Sequence, residues 1–423
     1  MTLIRPFRGV RYNHAVAGDL QQLVSPPYDL ISPEQQTLLH LCSPYNAIHL
    51  DLNRDAERYT AAARTFREWL DQEVLIQDQE PCLYFYTQEF ALKDGARHQR
   101  NGILAALRLE EFSSGRIRPH ERTFESAKND RLALLRACQA HLSPIFCLYS
   151  RSDWSLVETL KRALESPALM MVQDEQHTTH RLWRISDQSL LTEVTAGLMR
   201  EPLIIADGHH RYETALRYRA ECLAAQGRGS GDEPFNYVLA YLTNAQEEGL
   251  VILPTHRLLR EGPLPNLQHL RMALQRDFRV AVFSVADRAA FFTALHAPGP
   301  ERRIGCAFAG ANHYWLLSFE ERVTHGLPVS APLRALDVTV LHDVIFQRFL
   351  GLPTEVQKQR LSYTVDEEEA IRLVSERHCQ AAFFLKPTTY AQVAEVCERG
   401  ETMPQKSTYF FPKLLTGLVF YRL

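Results

Sequence analysis

Several features that often identify a function are absent from this sequence. None of the eight cysteines belongs to a Cys-x-x-Cys pair, so their spacing indicates neither a zinc knuckle nor a thioredoxin-type redox site. No apolar run approaches about 18 residues, and the arginines near the start precede no apolar segment, so we expect neither a membrane span nor a secretory signal. These absences favour a cytoplasmic protein with reduced thiols.

A strong charge imbalance is absent as well. The 423 residues carry a formal net charge of -3 at pH 7, with 45% hydrophobic and 23% charged residues. This balance provides no general attraction to nucleic acid or to a membrane surface, so we expect neither as a partner. The length favours two or three lobes rather than one core. We expect a small molecule as the partner, and homodimer formation is compatible with the sequence.

Helical and strand patterns alternate along the chain. The stretches CLYFYTQEF and NGILAALRLEEF predict paired strands, whereas ERYTAAARTFREWLDQ and DEEEAIRLVSER predict amphipathic helices. The sequence therefore predicts a mixed α/β (α+β) protein. We expect three consecutive regions, with bounds 1–110, 111–262 and 263–423.

One cluster of ionisable residues stands between an apolar stretch and a helical pattern. The stretch LIIA is followed by Asp207, Gly208, His209, His210 and Arg211. The helix is expected to begin near Tyr212, and a helix N-terminus favours an anion. Glycine lets a phosphate approach the backbone closely, while His and Arg side chains donate hydrogen bonds to it. The cluster therefore predicts a phosphate site.

A plainer interpretation of the same residues exists. Asp-Gly is a common turn, and an Asp before a helix is often only a cap. A zinc site is less favoured, because His209 and His210 are adjacent rather than one helical turn apart. In a phosphate site, Asp207 would hold a magnesium ion or orient a histidine.

A second cluster, PHERT, contains Glu121 directly after Pro119 and His120. Its carboxylate would suit a general base toward a hydroxyl, or it is merely an exposed charge; the residues alone leave both alternatives open. His256 and Arg257 follow the strand pattern LVIL in the segment PTHR. A proline-bounded turn of this kind would suit the wall of a site, although such turns are more often structural.

The third cluster, MPQKSTYFFPK, combines cations and hydroxyls near the end of the chain. Lys406, Ser407, Thr408 and Lys413 are suited to phosphate and to metal-bound water. The segment lacks the glycines of a P-loop, GxxxxGK[ST]. A buried strand TYFF with polar flanks is the alternative interpretation.

Along the chain, seven motifs follow one another in this order: RPFRGVRYN, SPPYDLIS, PYNAIHL, PHERT, ADGHHRYETA, PTHR and MPQKSTYFFPK. With this order, the chain resembles the uncharacterised bacterial and archaeal family known as domain of unknown function 1015. The Asp-Gly-His-His-Arg turn is also similar to that of the ParB/sulfiredoxin-like superfamily, especially its free-serine kinases. The resemblance implies a ParB/sulfiredoxin-like core in residues 111–262, with additional α/β regions on both sides.

The same resemblance implies chemistry for two motifs. In the serine kinases, the phosphates of a nucleotide lie on the helix that follows the turn, and the glutamate of an upstream Pro-His-Glu activates the serine hydroxyl. Glu121 matches that glutamate in this sequence. The cysteine that sulfiredoxins use in the turn is absent here, and so is a basic recognition helix like that of ParB proteins.

We therefore expect a nucleotide-dependent phosphotransferase that uses ATP or ADP with Mg²⁺ and acts on a small hydroxyl-bearing metabolite such as free L-serine. A nucleotide-binding switch or slow NTPase, and a hydrolase or lyase of a phosphorylated metabolite, are the alternatives. The expected catalytic residues are Glu121, Asp207, His209 and His210, with Asp207 as the metal ligand. The expected nucleotide-binding residues are Gly208, His210, Arg211, His256, Arg257, Lys406, Ser407, Thr408 and Lys413.

Overall fold

The chain folds into two compact units. The computed structural model describes residues 3–123, 125–152, 155–199, 201–227, 229–262 and 264–423. The first unit consists of Met1–Pro119, Thr123–Val251 and Pro412–Leu423, and the second of His120–Arg122 and Ile252–Phe411. These units interleave along the chain. The sequence predicts three regions that follow one another along the chain, whereas each of these units consists of separate segments. The three regions stay a prediction.

The structure contains both helices and several sheets, which confirms the mixed α/β class. The strands are β1 (Ile4–Arg5), β2 (Val10–Tyr12), β3 (Leu75–Gln77), β4 (Leu83–Ala91), β5 (Arg97–Arg108), β6 (Ile117–Pro119), β7 (Ala140–His141), β8 (Ile145–Tyr149), β9 (Met170–Gln173), β10 (Thr179–Ile185), β11 (Leu203–Asp207), β12 (Tyr237–Asn244), β13 (Val251–Leu253), β14 (His256–Leu259), β15 (Arg279–Ser284), β16 (Arg302–Phe308), β17 (His313–Phe319), β18 (Leu361–Thr364), β19 (Ala381–Phe384), β20 (Tyr409–Phe411) and β21 (Tyr421–Arg422).

The helices are α1 (His14–Ala17), α2 (Pro33–Cys42), α3 (Ile48–Asp51), α4 (Arg58–Asp71), α5 (Glu125–Cys138), α6 (Ser155–Lys161), α7 (Gln188–Gly197), α8 (His209–Gln226), α9 (Leu267–Leu274), α10 (Arg288–His296), α11 (Ala331–Arg334), α12 (Asp337–Thr339), α13 (Thr354–Arg360), α14 (Glu367–Ser375) and α15 (Tyr390–Glu398). A π-helix, Val340–Phe349, continues directly from α12. Across the described residues, we find no helix long and apolar enough to cross a membrane.

The first unit contains a nine-stranded mixed sheet. Eight strands follow the order β6-β11-β8-β12-β5-β4-β10-β9, and β1 pairs with β5 beside this path. The pairs β6–β11 and β8–β12 are parallel, and the other neighbours are antiparallel. β4 and β5 form the strand pair predicted from CLYFYTQEF and NGILAALRLEEF. Because β6 and β11 run in the same direction, both end at the same edge of the sheet.

The two faces of this sheet bury different side chains. On one face, apolar residues such as Phe85 pack against α7 and α8. Successive side chains of a strand point to opposite faces, so Tyr84, Tyr86 and Gln88 of β4 lie on the other face. There Gln88 Nε2 donates a 2.9 Å hydrogen bond to the carbonyl of Lys413. The last residues of the chain are therefore part of the first unit.

The second unit contains a six-stranded antiparallel sheet with the order β15-β17-β16-β19-β14-β18. On one face, Phe291 of α10 and Val374 of α14 share an apolar core with Phe384 of β19. Phe383 points to the opposite face, where its ring lies 4.9 Å from that of Phe346 in the π-helix. The side chains of β14 alternate between the same two faces, and all four residues of β14 are buried.

Candidate functional site

The turn between β11 and α8 is tighter than the sequence suggests. β11 ends at Asp207 and α8 begins at His209, so Gly208 alone separates strand from helix. The helix was expected to begin near Tyr212; that start is wrong, because Gly208 already serves as the N-cap with φ 84° and ψ 26°. His209 and His210 therefore belong to the first helical turn, where a helix dipole attracts an anion most strongly.

Glycine is required at position 208 for two reasons. Its φ lies in the left-handed region, which L side chains rarely adopt. A Cβ atom there would also lie 3.0 Å from Cγ2 of Ile145 and 3.1 Å from the guanidinium nitrogens of Arg211. Because glycine has no side chain, the N-cap adds no acceptor of its own to the first turn of α8.

Asp207 and Lys413 form an ion pair at this turn. Nζ of Lys413 lies 3.2 Å from Oδ2 of Asp207, and the two side chains are 17% and 25% exposed, respectively. The other carboxylate oxygen, Oδ1, accepts a 2.9 Å hydrogen bond from the backbone N–H of Gly208. The pair places a lysine cation beside the start of α8, which gives the turn a basic side chain from a distant part of the chain.

Asp207 was predicted as a magnesium ligand. In the part of the chain that the structure describes, no group of three or more His, Cys, Asp or Glu side chains could hold a metal ion. The donor set at the turn is one carboxylate already paired with Lys413. A protein-made metal cage therefore does not fit these residues. One carboxylate does fit the usual way in which Mg²⁺ is held, mainly by substrate phosphates and water.

The remaining side chains of the turn differ in accessibility. His209 is buried and His210 is half-buried. Arg211 is half-buried, and its Nη1 donates to Oγ of Ser143 at 2.9 Å and to the carbonyl of Pro144 at 2.5 Å. These contacts attach the start of α8 to the segment before β8. The predicted contact of Arg211 with a phosphate stays a prediction.

Helix α8 is held firmly in the first unit. The hydroxyl of Tyr212 donates to the carbonyl of Glu110 at 2.8 Å and accepts from its N–H at 3.0 Å. The next residue, Glu213, binds Nζ of Lys128 in α5 at 2.8 Å and the hydroxyl of Thr123 at 2.9 Å. The helix N-terminus therefore has a fixed position relative to β11.

In the second unit, two of the predicted motifs meet. The carboxylate of Glu121 accepts a 2.8 Å hydrogen bond from the backbone N–H of Lys406, although 285 positions separate them. The backbone N–H of Met403 donates to the carbonyl of His120 at 2.8 Å, and Glu121 and Met403 form a parallel bridge. Lys406 has a φ of 55°, a left-handed conformation that is strained for a residue with a side chain. Glu121 helps to hold that conformation.

Arg257 supports the same turn from inside the second unit. Its Nη2 donates to the carbonyl of Lys406 at 3.0 Å and to that of Gln405 at 3.4 Å. The guanidinium is 1% exposed and lies 5.6 Å from the ring centre of Tyr363. Burial lowers the pKa of Arg257 to about 10, although the charges of Tyr363 and Glu121 act in the opposite direction and raise it. Because it is enclosed, Arg257 acts on the backbone of the turn, and direct contact with a nucleotide would require movement.

The hydroxyls of Ser407 and Thr408 were expected to contact phosphate. Oγ of Ser407 donates to the carbonyl of Pro404 at 2.5 Å. Oγ1 of Thr408 lies 2.8 Å from Nε2 of His120. Both residues are buried. Both hydroxyls therefore have partners inside the protein. Lys406, which directly precedes Ser407, is exposed.

His256 does not suit the ligand role that the sequence suggests. It is fully buried, and its Nδ1 accepts from the backbone N–H of Leu385 at 3.3 Å. Burial lowers the pKa of His256 to about 4, although the carboxylate of Glu367, 3.9 Å away, opposes that shift. Because a strand alternates its side chains, His256 and Arg257 point to opposite faces of β14. Direct contact of His256 with a ligand would therefore require movement, and its role in binding stays a prediction.

The predicted residues thus form two clusters, one in each unit. Asp207, Gly208 and Lys413 meet in the first unit. Glu121 and Lys406 meet in the second. In each cluster the residues that meet are far apart in the sequence, so a local sequence pattern does not reveal their contact.

Sequence reasoning missed a buried group next to Arg211. The guanidinium of Arg131 lies 4.1 Å from the ring centre of Tyr28, in the motif SPPYD, and its Nη1 binds Oδ1 of Asp51 at 2.7 Å. Asp51, Arg131 and Arg211 line one cavity of about 40 Å³, together with His141. A cavity of that size holds water rather than a nucleotide. The proline-bounded motif SPPYD was the only local signal, and it indicates a turn rather than a partner.

Comparisons with known proteins give weak structural matches. A conserved hypothetical protein from Pyrococcus furiosus is 12% identical with a TM-score of 0.34, over 73% of this chain and 90% of that chain. A free serine kinase in complex with AMP is 11% identical with a TM-score of 0.35, over 73% and 86%. SbnI with C-terminal truncation, from Staphylococcus aureus, is 11% identical with a TM-score of 0.35, over 74% and 85%.

In sequence, no curated protein matches the chain. The family described as "Protein of unknown function (DUF1015)" matches residues 4–339, which is most of the chain. The resemblance inferred from the seven motifs is therefore confirmed, and the chain belongs to this family.

Proposed function

We propose that the protein is a nucleotide-dependent phosphotransferase that acts on a small hydroxyl-bearing acceptor. The observation that carries this proposal is the turn at Gly208, where an 18-residue helix begins directly after a strand and next to the ammonium group of Lys413. Such a helix has about half a positive charge at its N-terminus. A nucleotide phosphate is the ligand that this combination of dipole, close backbone approach and cation favours.

In this proposal the phosphates lie against the first turn of α8. The glycine at position 208 lets neighbouring groups approach the backbone closely, and the guanidinium of Arg211 lies on that side. The ammonium of Lys413, which contacts Asp207, is a cation that would bind a phosphate oxygen at the start of the helix. His210, half-buried in the first turn, would add a donor to the phosphates. Together these groups would stabilise the charge on the transferring phosphoryl group, which is the main catalytic effect in such reactions.

Magnesium enters the proposal with the nucleotide. Asp207 would bind it as one carboxylate ligand, and phosphate oxygens and water would fill the other positions. The ion would neutralise phosphate charge during transfer. ATP and ADP are both compatible with a site that recognises the phosphates.

Glu121 is proposed as the base that accepts the hydroxyl proton of the acceptor. The resemblance to the serine kinases, in which the glutamate of Pro-His-Glu activates the serine hydroxyl, supports including Glu121. Its carboxylate accepts a 2.8 Å hydrogen bond from the backbone N–H of Lys406. The resemblance to the serine kinases suggests free L-serine as the acceptor.

One observation favours a second candidate, a nucleotide-binding switch or slow NTPase. The carboxylate of Glu121 holds the strained backbone of Lys406, and this is a structural task that does not require a base. In that case a nucleotide would bind at the same helix, but no small acceptor would be phosphorylated.

The experiment that separates these functions combines binding with product analysis. Titration calorimetry measures ADP and ATP binding with and without Mg²⁺. Mass spectrometry then follows L-serine and other hydroxyl-bearing metabolites that are incubated with protein, nucleotide and Mg²⁺. A phosphorylated acceptor supports the phosphotransferase, whereas nucleotide hydrolysis without such a product supports the switch.

Two lysine variants localise the binding site. Lys413→Met should weaken ADP binding about tenfold or more, because it removes a charge-assisted contact. Lys161→Met is the matched control, because Lys161 is exposed on α6 and pairs only with nearby Glu158 among the described contacts. Failure of the unmodified protein to bind either nucleotide at millimolar concentration would overturn both functions.

A further inference from the structure

A buried arginine binds the backbone next to Lys413. Arg100 of β5 is fully buried. Its Nε donates to Oε1 of Gln88 at 3.1 Å, and the two residues are opposite each other on β5 and β4. Burying a guanidinium is costly unless its donors are satisfied, so a residue of this kind needs a structural or functional reason.

The reason lies in what Arg100 and Gln88 bind. Nη2 of Arg100 donates to the carbonyl of Pro412 at 2.5 Å. Nε2 of Gln88 donates to the next carbonyl, that of Lys413, at 2.9 Å. Two consecutive peptide groups are thus fixed on one face of the large sheet. The side chain of Lys413 starts from this fixed backbone and reaches Oδ2 of Asp207.

Arg100 is also connected to the other member of the pair. Its guanidinium carbon lies 4.6 Å from the ring centre of Phe146. Phe146 of β8 is the direct partner of Asp207 in the ladder between β8 and β11. The register between these strands shifts between Ile205 and Asp207, just before this pair. The packing of Arg100 on Phe146 therefore supports a locally irregular part of the strand ladder.

We propose that Arg100, with Gln88, is a positioning residue that sets the location of the Lys413 ammonium at the start of α8. The effect of this positioning on phosphate binding rests on the proposed function. The placement of the ammonium itself does not depend on that function. Neither Arg100 nor Gln88 is proposed to touch a substrate.

The side chains suggest two variants and a matched control. Arg100→Met removes the hydrogen bond to Pro412 but keeps most of the volume, and Gln88→Met removes the bond to Lys413. Tyr84→Phe is the control, because Tyr84 lies on the same face of β4 and loses buried hydrogen bonds of its own, to Asp78 at 2.5 Å and from the N–H of Gly9 at 3.1 Å.

The position of the ammonium can be read directly. The chain contains seven lysines, so reductive methylation with ¹³C-formaldehyde gives few NMR signals, and Lys413→Arg identifies the signal of residue 413. We expect Arg100→Met and Gln88→Met to move that signal toward the position of exposed lysines. Tyr84→Phe should leave it in place. In parallel, ADP affinity should fall about tenfold in the two Met variants and remain unchanged in Tyr84→Phe.

The outcomes separate the two claims. An unchanged Lys413 signal in folded Gln88→Met would overturn the positioning role, even if Arg100→Met fails to fold. A shifted signal without any ADP binding, in the unmodified protein as in the variants, would support positioning and overturn the proposed function instead. Equal signal shifts in Tyr84→Phe would mean general loosening of the sheet and would also overturn the positioning role.

Discussion

Asp207 and Lys413 are 206 positions apart in the sequence, and their side chains meet at 3.2 Å where β11 turns into α8. The last strand residue thereby contacts a cation from near the end of the chain. Because both side chains are partly exposed, the pair contributes about 1 kcal/mol or less to stability. Its significance lies in the charge that it places at a helix N-terminus.

The first prediction concerns Asp207. Asp207→Asn keeps an oxygen that can accept the N–H of Gly208 but removes the negative charge that pairs with Lys413 and that we propose as a magnesium ligand. We expect a change in the free energy of unfolding below about 1 kcal/mol, together with loss of the Mg²⁺-dependent part of ATP binding. Urea unfolding and calorimetry measure the two effects. Unchanged Mg²⁺ dependence in the variant would remove Asp207 from the site.

The second prediction concerns Gly208. Gly208→Ala should lower the free energy of unfolding by about 1–2 kcal/mol from backbone strain alone. The contacts of the new methyl group with Ile145 and Arg211 should add to this loss. Gly115→Ala is the control, because Gly115 is also left-handed, with φ 70° and ψ 0°, but has nothing within 4 Å of a Cβ. Equal losses in both variants would mean that the close packing at Gly208 has no energetic effect.

The third prediction separates the two roles of Glu121. Glu121→Gln keeps an acceptor for the N–H of Lys406, so the variant should unfold within about 0.5 kcal/mol of the unmodified protein. Transfer to the acceptor should fall by about 10²-fold or more, because the amide cannot accept the hydroxyl proton. Initial rates of product formation and nucleotide affinity are measured together. Full transfer activity in Glu121→Gln would limit Glu121 to holding the turn.

The fourth prediction concerns pH. Burial raises the pKa of Glu247 to about 7 from its usual value of 4.5, although the N–H of Asn101 and the charge of Arg100 oppose the shift. The native carboxyl thus binds a proton more tightly than the unfolded one. Its stabilising contribution is complete below about pH 4.5 and is lost as pH rises through about 7, by roughly 3 kcal/mol in total.

The comparison of Glu247→Gln with the unmodified protein isolates this effect. The difference between their free energies of unfolding should change by roughly 3 kcal/mol between pH 4.5 and pH 8, with the unmodified protein losing stability relative to the variant. Denaturant unfolding at several pH values measures the difference. A difference that is constant over this range would show that Glu247 is ionised in the native state throughout.

Local patterns in the sequence were sufficient where neighbours in the chain decide the structure. The strand pair β4–β5 follows from two stretches rich in aromatic and aliphatic residues. The start of α8 could not be predicted in the same way. It depends on Gly208 taking a left-handed conformation, which turns and helix caps share.

Long-range partners account for what the sequence left open. The motif PTHR gives no indication of which side chain faces the core, and the structure buries His256 beside Glu367 while Arg257 holds the turn at Lys406. Arg100 carries no local signal, since it lies in the polar stretch RHQRN at the start of β5, where an arginine looks like a surface residue. Its partners at Pro412 and Gln88 become visible only when the end of the chain lies on the sheet.

The central claim is that a nucleotide phosphate binds at the start of α8. A crystal structure with ADP and Mg²⁺ tests it most directly. We predict phosphate oxygens within about 3.2 Å of the Lys413 ammonium and of backbone N–H groups in the first turn of α8. An ordered nucleotide whose phosphates lie away from Gly208 and Lys413 would contradict the claim.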